Sequence, residues 1–216
     1  MSSAAFGRPA PHPQSPLASD LAAPPAPEIA HCLARAADVW IFGYGSLMWD
    51  PGFAYAEVRS GLLRGYHRRF CVYSTGYRGT PERPGLVLGL DRGGACRGIA
   101  YRVPRADVGP ALHYLWDREM QNRTYHLREL AVLTPDGQVR GHAFVVDRAH
   151  KSYAGRLTLE ETARLILQGI GARGPCRQYL ENTVAELKKL GLVDGPLHRL
   201  EEKVRELAAT ALPCAG

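Results

Sequence analysis

The hydrophobic pattern of the chain changes period once. From 39 to 146 short apolar runs are broken by turn residues; from 158 to 209 apolar residues recur every three or four positions. Val39-Trp40-Ile41-Phe42 is an apolar run that stops at Gly43, the pattern of a buried strand. Residues 69–74 (R-F-C-V-Y-S) predict a second strand, and 77–85, marked by Gly79, Pro81 and Pro84, a loop. Residues 86–90 and 98–103 predict a strand pair joined by a turn over 91–94. Val108, Leu112, Leu115 and Trp116 fall at i, i+4, i+7 and i+8, predicting a helix over 107–120 with Pro110 in its first turn. Residues 125–133 and 139–146 flank Pro135-Asp136-Gly137, a hairpin signal. Thr158 and Glu161 have capping-box spacing before Leu165-Ile166-Leu167. Helices over 176–190, stopped by Gly191, and over 196–209 follow. Strands with one inserted helix and then helices argue an α+β fold, a small barrel or curved mixed sheet with helices packed outside.

Composition bounds the picture further. Residues 1–36 read as a disordered Pro/Ala-rich tail, since seven of the 16 prolines lie in the first 27 positions. Residues 37–212 read as a single domain. No apolar run approaches the roughly 20 residues of a membrane span. Five cysteines with no C-x-x-C, and dispersed histidines, argue against a disulfide framework and a metal site. Free thiols fit a cytoplasmic protein. The formal charge is +6, and between Arg59 and Arg105 ten arginines stand against Glu82 and Asp91. That excess suits a polyanion, a small anionic molecule or a solvated surface.

Known motifs fail. After Gly43-Tyr44-Gly45, Met48 occupies the place of the third dinucleotide-loop glycine, no P-loop is present, and Ser46 is not in G-x-S-x-G. What remains is a strand ending in a glycine-flanked turn. Its N–H groups suit a carboxylate or oxyanion, although a plain tight turn has the same pattern. Glu119 falls at the predicted C-terminal end of a helix, where the dipole disfavours a carboxylate and raises its pKa, as a general base needs. Arg118 offers a structural alternative, pairing with Glu119 or capping the helix. His113 reads as a helix-face residue. Arg78 is either an anion-attracting cation or surface charge, and Tyr179 either closes a pocket or packs in a helix core.

Together these motifs resemble the ChaC family of glutathione-specific γ-glutamylcyclotransferases. The carriers are Trp40 to Leu47 (W-I-F-G-Y-G-S-L), Arg68-Arg69-Phe70, Ser74 to Pro81 with Pro84-Gly85, Gly98 to Arg102, Trp116 to Met120, and Gly174-Pro175-Cys176 with Tyr179 to Thr183. The resemblance implies a γ-glutamylcyclotransferase-like fold. It implies a carbon–nitrogen lyase that releases 5-oxoproline and Cys-Gly from glutathione, with no metal, cofactor, nucleic acid, membrane or obligate protein partner. Glu119 matches the catalytic glutamate; Ile41, Phe42, Gly43, Tyr44, Gly45 and Ser46 match the substrate-binding segment. Cys176 in place of serine, Gly76, and the loop over 121–124 depart from the family pattern. Two alternatives stay open: a cyclotransferase for other γ-glutamyl amino acids or amines, and a basic nucleic-acid-binding module using Tyr66, Phe70, Tyr73 and Tyr77.

Overall fold

The computed structural model describes residues 27–34, 37–119 and 123–210. The expectations for residues 1–26, 120–122 and 211–212 lie outside the described residues.

Five strands close into a barrel: β1 (Val39–Gly43), β2 (Glu57–Ser74), β3 (Gly85–Val103), β4 (Tyr125–Thr134) and β5 (Gly137–Val146), in the order β1-β3-β2-β4-β5. β1 pairs antiparallel with β3 and parallel with β5, which closes the circle. β1 is apolar throughout because both of its faces are buried. Ile41 belongs to one apolar cluster and Phe42 to the other.

The predicted turn over 91–94 does not exist. β3 runs straight through it, paired along its length with β2, an 18-residue strand of which the sequence pattern marked only the end. The glycines have a different task. Gly65, Gly93 and Gly94 all take positive φ where the register slips between Arg64 and Tyr66, so the ribbon bends without parting. The first half of β2 escaped notice because its alternation is masked by Arg59, Arg64 and half-buried positions.

Helix α1 (Pro27–Ala34) lies inside the segment read as a tail, and Ile29 and Cys32 are buried against α2 (Val108–Glu119). Helix α2 presents the predicted stripe, with Val108, Leu112 and Leu115 buried. Helices α3 (Leu159–Gln168), α4 (Cys176–Lys189) and α5 (Gly195–Thr210) contribute Ile166, Leu180 and Val204 to the other cluster. The capping box at Thr158 and Glu161 forms as its spacing predicts. A Schellman end at Gly191 (φ 65) stops α4, with Leu192 N–H bonded to the Leu187 carbonyl and Gly191 N–H to that of Lys188. Two short strands, β6 (Ile170–Gly171) and β7 (Gly174–Pro175), make a tight hairpin between α3 and α4.

Four of the ten arginines between Arg59 and Arg105 are paired with carboxylates. Arg68 pairs with Asp194, Arg69 with Asp91, Arg59 and Arg102 with Glu57, and Arg102 also with Asp38. Asp91 is fully buried and accepts from Arg148 (2.6 Å), Tyr153 Oη (2.9 Å) and the Arg92 N–H (2.8 Å). Burial alone would raise its pKa, but these donors outweigh it and hold the carboxyl below its ordinary value. A depressed folded-state pKa stabilises above the unfolded value, and the gain is lost as pH falls through the folded one. Asp91→Asn is therefore expected to cost about 3 kcal/mol at neutral pH. Urea titrations should show the gap to the parent closing below about pH 4.

Candidate active site

Strand β1 delivers its last glycine, Gly43, to a turn at the barrel rim. Residues Ser46–Met48 form one 3-10 turn, whose hydrogen bonds run from Met48 N–H to the Gly45 carbonyl and from Asp50 N–H to that of Ser46. The N–H groups at the start of such a turn have no partner within it. A side chain on Gly43 would approach Leu47 Cβ to 3.1 Å, so glycine spares the turn a tight contact.

The end of α2 is tied to this turn by Arg118. Its guanidinium donates to Ser46 Oγ (2.8 Å), the Asp50 carbonyl (2.8 Å) and Tyr114 Oη (2.9 Å), and lies 3.5 Å from Glu119. Pairing and site-building are thus not alternatives for Arg118: it does both. The Glu119 side chain is only 22% exposed. Its pKa is raised because burial disfavours the charge, against the opposing fields of Arg118 and Arg173. Burial is the leading cause.

Three tyrosines sense the Glu119 charge. Tyr44 donates to the Phe144 carbonyl and Tyr125 to the Leu88 carbonyl, both at 2.9 Å. Tyr179, in the first turns of α4, rests edge-on against Phe70 with ring centres 5.6 Å apart. Burial first, and in each case the Glu119 charge as well, push all three phenols up. A side chain on Gly45 would lie 3.6 Å from Tyr179 Oη, so that hydroxyl faces the turn.

Arg78 is not a loose surface cation. It stacks 5.2 Å over the Tyr179 ring and donates to the carbonyls of Arg173 (2.6 Å) and Pro175 (3.3 Å). The exposed cation nearby is Arg173, on the β6–β7 turn and 4.7 Å over the Tyr77 ring. Cys176 holds α4 to β3, its Sγ donating to the Leu86 carbonyl at 2.9 Å.

The structure therefore brings together Gly45, Ser46, Glu119 and Tyr179, with Arg78 bracing Tyr179. Ile41 and Phe42 are core side chains paired in the sheet, and Tyr44 turns its hydroxyl inward to the Phe144 carbonyl. Sequence reasoning missed Tyr125 and Arg173, which no motif spacing marks. His113 lies 2.8 Å from the Gly109 carbonyl, one helical turn back, as a helix-face histidine does. Among the described residues no His, Cys, Asp and Glu cluster suits a metal ion, and no helix is long and apolar enough to cross a membrane.

The ChaC-like protein family model matches residues 39–207. A glutathione-specific gamma-glutamylcyclotransferase of Escherichia coli K12 is 39% identical over 176 residues, covering 81% of this chain and 76% of that protein. The Homo sapiens glutathione-specific gamma-glutamylcyclotransferase 1 is 36% identical over 183 residues, covering 82% and 81%. The crystal structure of a yeast gamma-glutamylcyclotransferase specific to glutathione superposes with a TM-score of 0.73 at 22% identity, over 79% of this chain and 96% of that one.

Proposed function

The chain belongs to the ChaC-like protein family, and from that premise we propose that it is a glutathione-specific γ-glutamylcyclotransferase acting through Glu119. The observation that carries the catalytic assignment is the shielded Glu119 carboxyl at the rim turn, with its raised pKa.

The reaction is an intramolecular aminolysis. The γ-glutamyl α-amine attacks its own γ-carbonyl, a C–N bond forms, and a five-membered ring closes. The amide bond to cysteine then breaks, giving 5-oxoproline and Cys-Gly. Nucleophile and electrophile share one molecule, so the protein supplies neither a nucleophile nor water, which fits the missing triad. Its tasks are to fold the substrate into an attack geometry and to move one proton. The amine, whose reference pKa is about 8, attacks in its neutral form; Glu119 takes the one proton that nitrogen sheds as the C–N bond forms and returns it to the leaving nitrogen. The N–H groups after Tyr44 stabilise the oxyanion or hold the substrate α-carboxylate. Tyr179 closes the site over Gly45, and Arg78 acts through the ring it covers. Ile41 and Phe42 contribute by fixing the strand end.

Cys32, Cys71, Cys96 and Cys176 are buried cysteines outside any disulfide, which favours placing the enzyme in the cytoplasm. Purified protein should release 5-oxoproline from glutathione and act far more weakly on γ-glutamyl-alanine. No release from glutathione would overturn the reaction; equal turnover of both would overturn the specificity.

A further inference from the structure

Arg68 is the charged side chain sealed most deeply beside the rim turn, 1% exposed on β2. Its guanidinium makes three hydrogen bonds and one ion pair that lacks hydrogen-bond geometry. Nη1 donates to the Tyr44 carbonyl (2.6 Å) and to Met48 Sδ (3.4 Å); Nη2 donates to the Arg97 carbonyl; Nε lies 2.9 Å from the Asp194 carboxylate. Asp194 in turn caps α5, accepting from the Leu197 and His198 N–H groups.

In a trans peptide the carbonyl and the following N–H point in opposite directions. Holding the Tyr44 carbonyl therefore fixes the Gly45 N–H on the side away from Arg68. Tyr44 is flanked by Gly43 and Gly45, so this peptide is otherwise poorly restrained. The Tyr44 hydroxyl anchors the ring through Phe144 but leaves the carbonyl free to turn.

We propose that Arg68 is a positioning residue that locks the 44–45 peptide, keeping the Gly45 N–H turned into the active site and the Tyr44 carbonyl out of it. The inference rests on the cyclotransferase reading, in which that N–H faces developing negative charge. Rotation of the peptide would present a carbonyl there instead.

The test compares three variants on glutathione at a temperature where each is folded. Arg68→Met should lower kcat about 100-fold with little change in KM, the loss that follows removal of one oxyanion donor. Arg68→Lys keeps the charge opposite Asp194 but not the fork, and should lie between, about 10-fold down. Asp194→Asn keeps the cap, should lower Tm, and should leave kcat within about threefold of the parent. A normal kcat in both Arg68 variants, or an Asp194→Asn loss equal to that of Arg68→Met, would overturn the proposal. In the unsubstituted protein, 5-oxoproline should shift the Gly45 amide resonance; an unmoved resonance in the presence of bound product would also overturn it. Failure of the cyclotransferase reading looks different, since the parent would then make no 5-oxoproline.

Discussion

Glu119→Gln is expected to reduce 5-oxoproline release from glutathione by about 10³-fold or more while leaving the protein at least as stable as the parent at neutral pH. The amide fills the same space but cannot take a proton. Stability moves the other way because burial raises the folded-state pKa of Glu119 above its unfolded value. Such a group stabilises below the unfolded pKa, and that contribution is lost as pH rises through the folded one. At pH 7 the parent carries the cost of the shielded charge and the variant does not. The same shift fixes the acid limb of the rate profile. Activity needs the ionised carboxylate, so kcat/KM should rise with pH through a value above the ordinary one for a glutamate, and that limb should vanish with Glu119. Thermal melts beside a 5-oxoproline assay check both halves. Near-normal turnover of the variant would remove Glu119 from the chemistry.

Gly85→Ala should be strongly damaging although it removes no group from the chemistry. A side chain there would overlap the Arg78 carbonyl and press on Cys176 Cβ at 3.1 Å. These are the two anchors of Tyr179: Arg78 covers its ring, and Cys176 fastens the first turn of α4 to β3. Backbone cannot move aside as a flexible side chain can, so overpacking should cost about 3 kcal/mol. Because the displaced atoms hold Tyr179, kcat/KM should fall even at temperatures where the variant is fully folded. Gly76→Ala is the control. It lies in the loop that leads into β3, with open space where its side chain would go, and its φ is not in the left-handed region. Urea midpoints should separate the two; equal midpoints would contradict the packing argument.

The sequence was most legible where one short segment meets one local requirement. An unbroken apolar run makes β1 whatever it packs against. Pro135, Asp136 and Gly137 make the β4–β5 turn, and Thr158 with Glu161 caps α3. Glu119 could be singled out because a carboxylate at a helix C-terminus is electrostatically misplaced. The same local logic failed at Gly93-Gly94, where punctuation suited to a turn serves a bend inside a continuous strand. It failed again at 27–34, whose helix is secured by burying Ile29 and Cys32 against α2.

By itself, then, the sequence determined the division into a strand-rich part and a helical part, and the glycine-bounded turn after β1, and it singled out Glu119 as a candidate proton carrier. Only the tertiary structure decided how these meet. Arg118 reaches Ser46 across 72 positions, Arg68 reaches the Tyr44 carbonyl across 24, and Arg78 stacks on the ring of the distant Tyr179. Periodicity and spacing report what neighbouring residues can do together. A guanidinium reads as surface charge until burial and fixed acceptors, supplied by distant segments, determine what it holds.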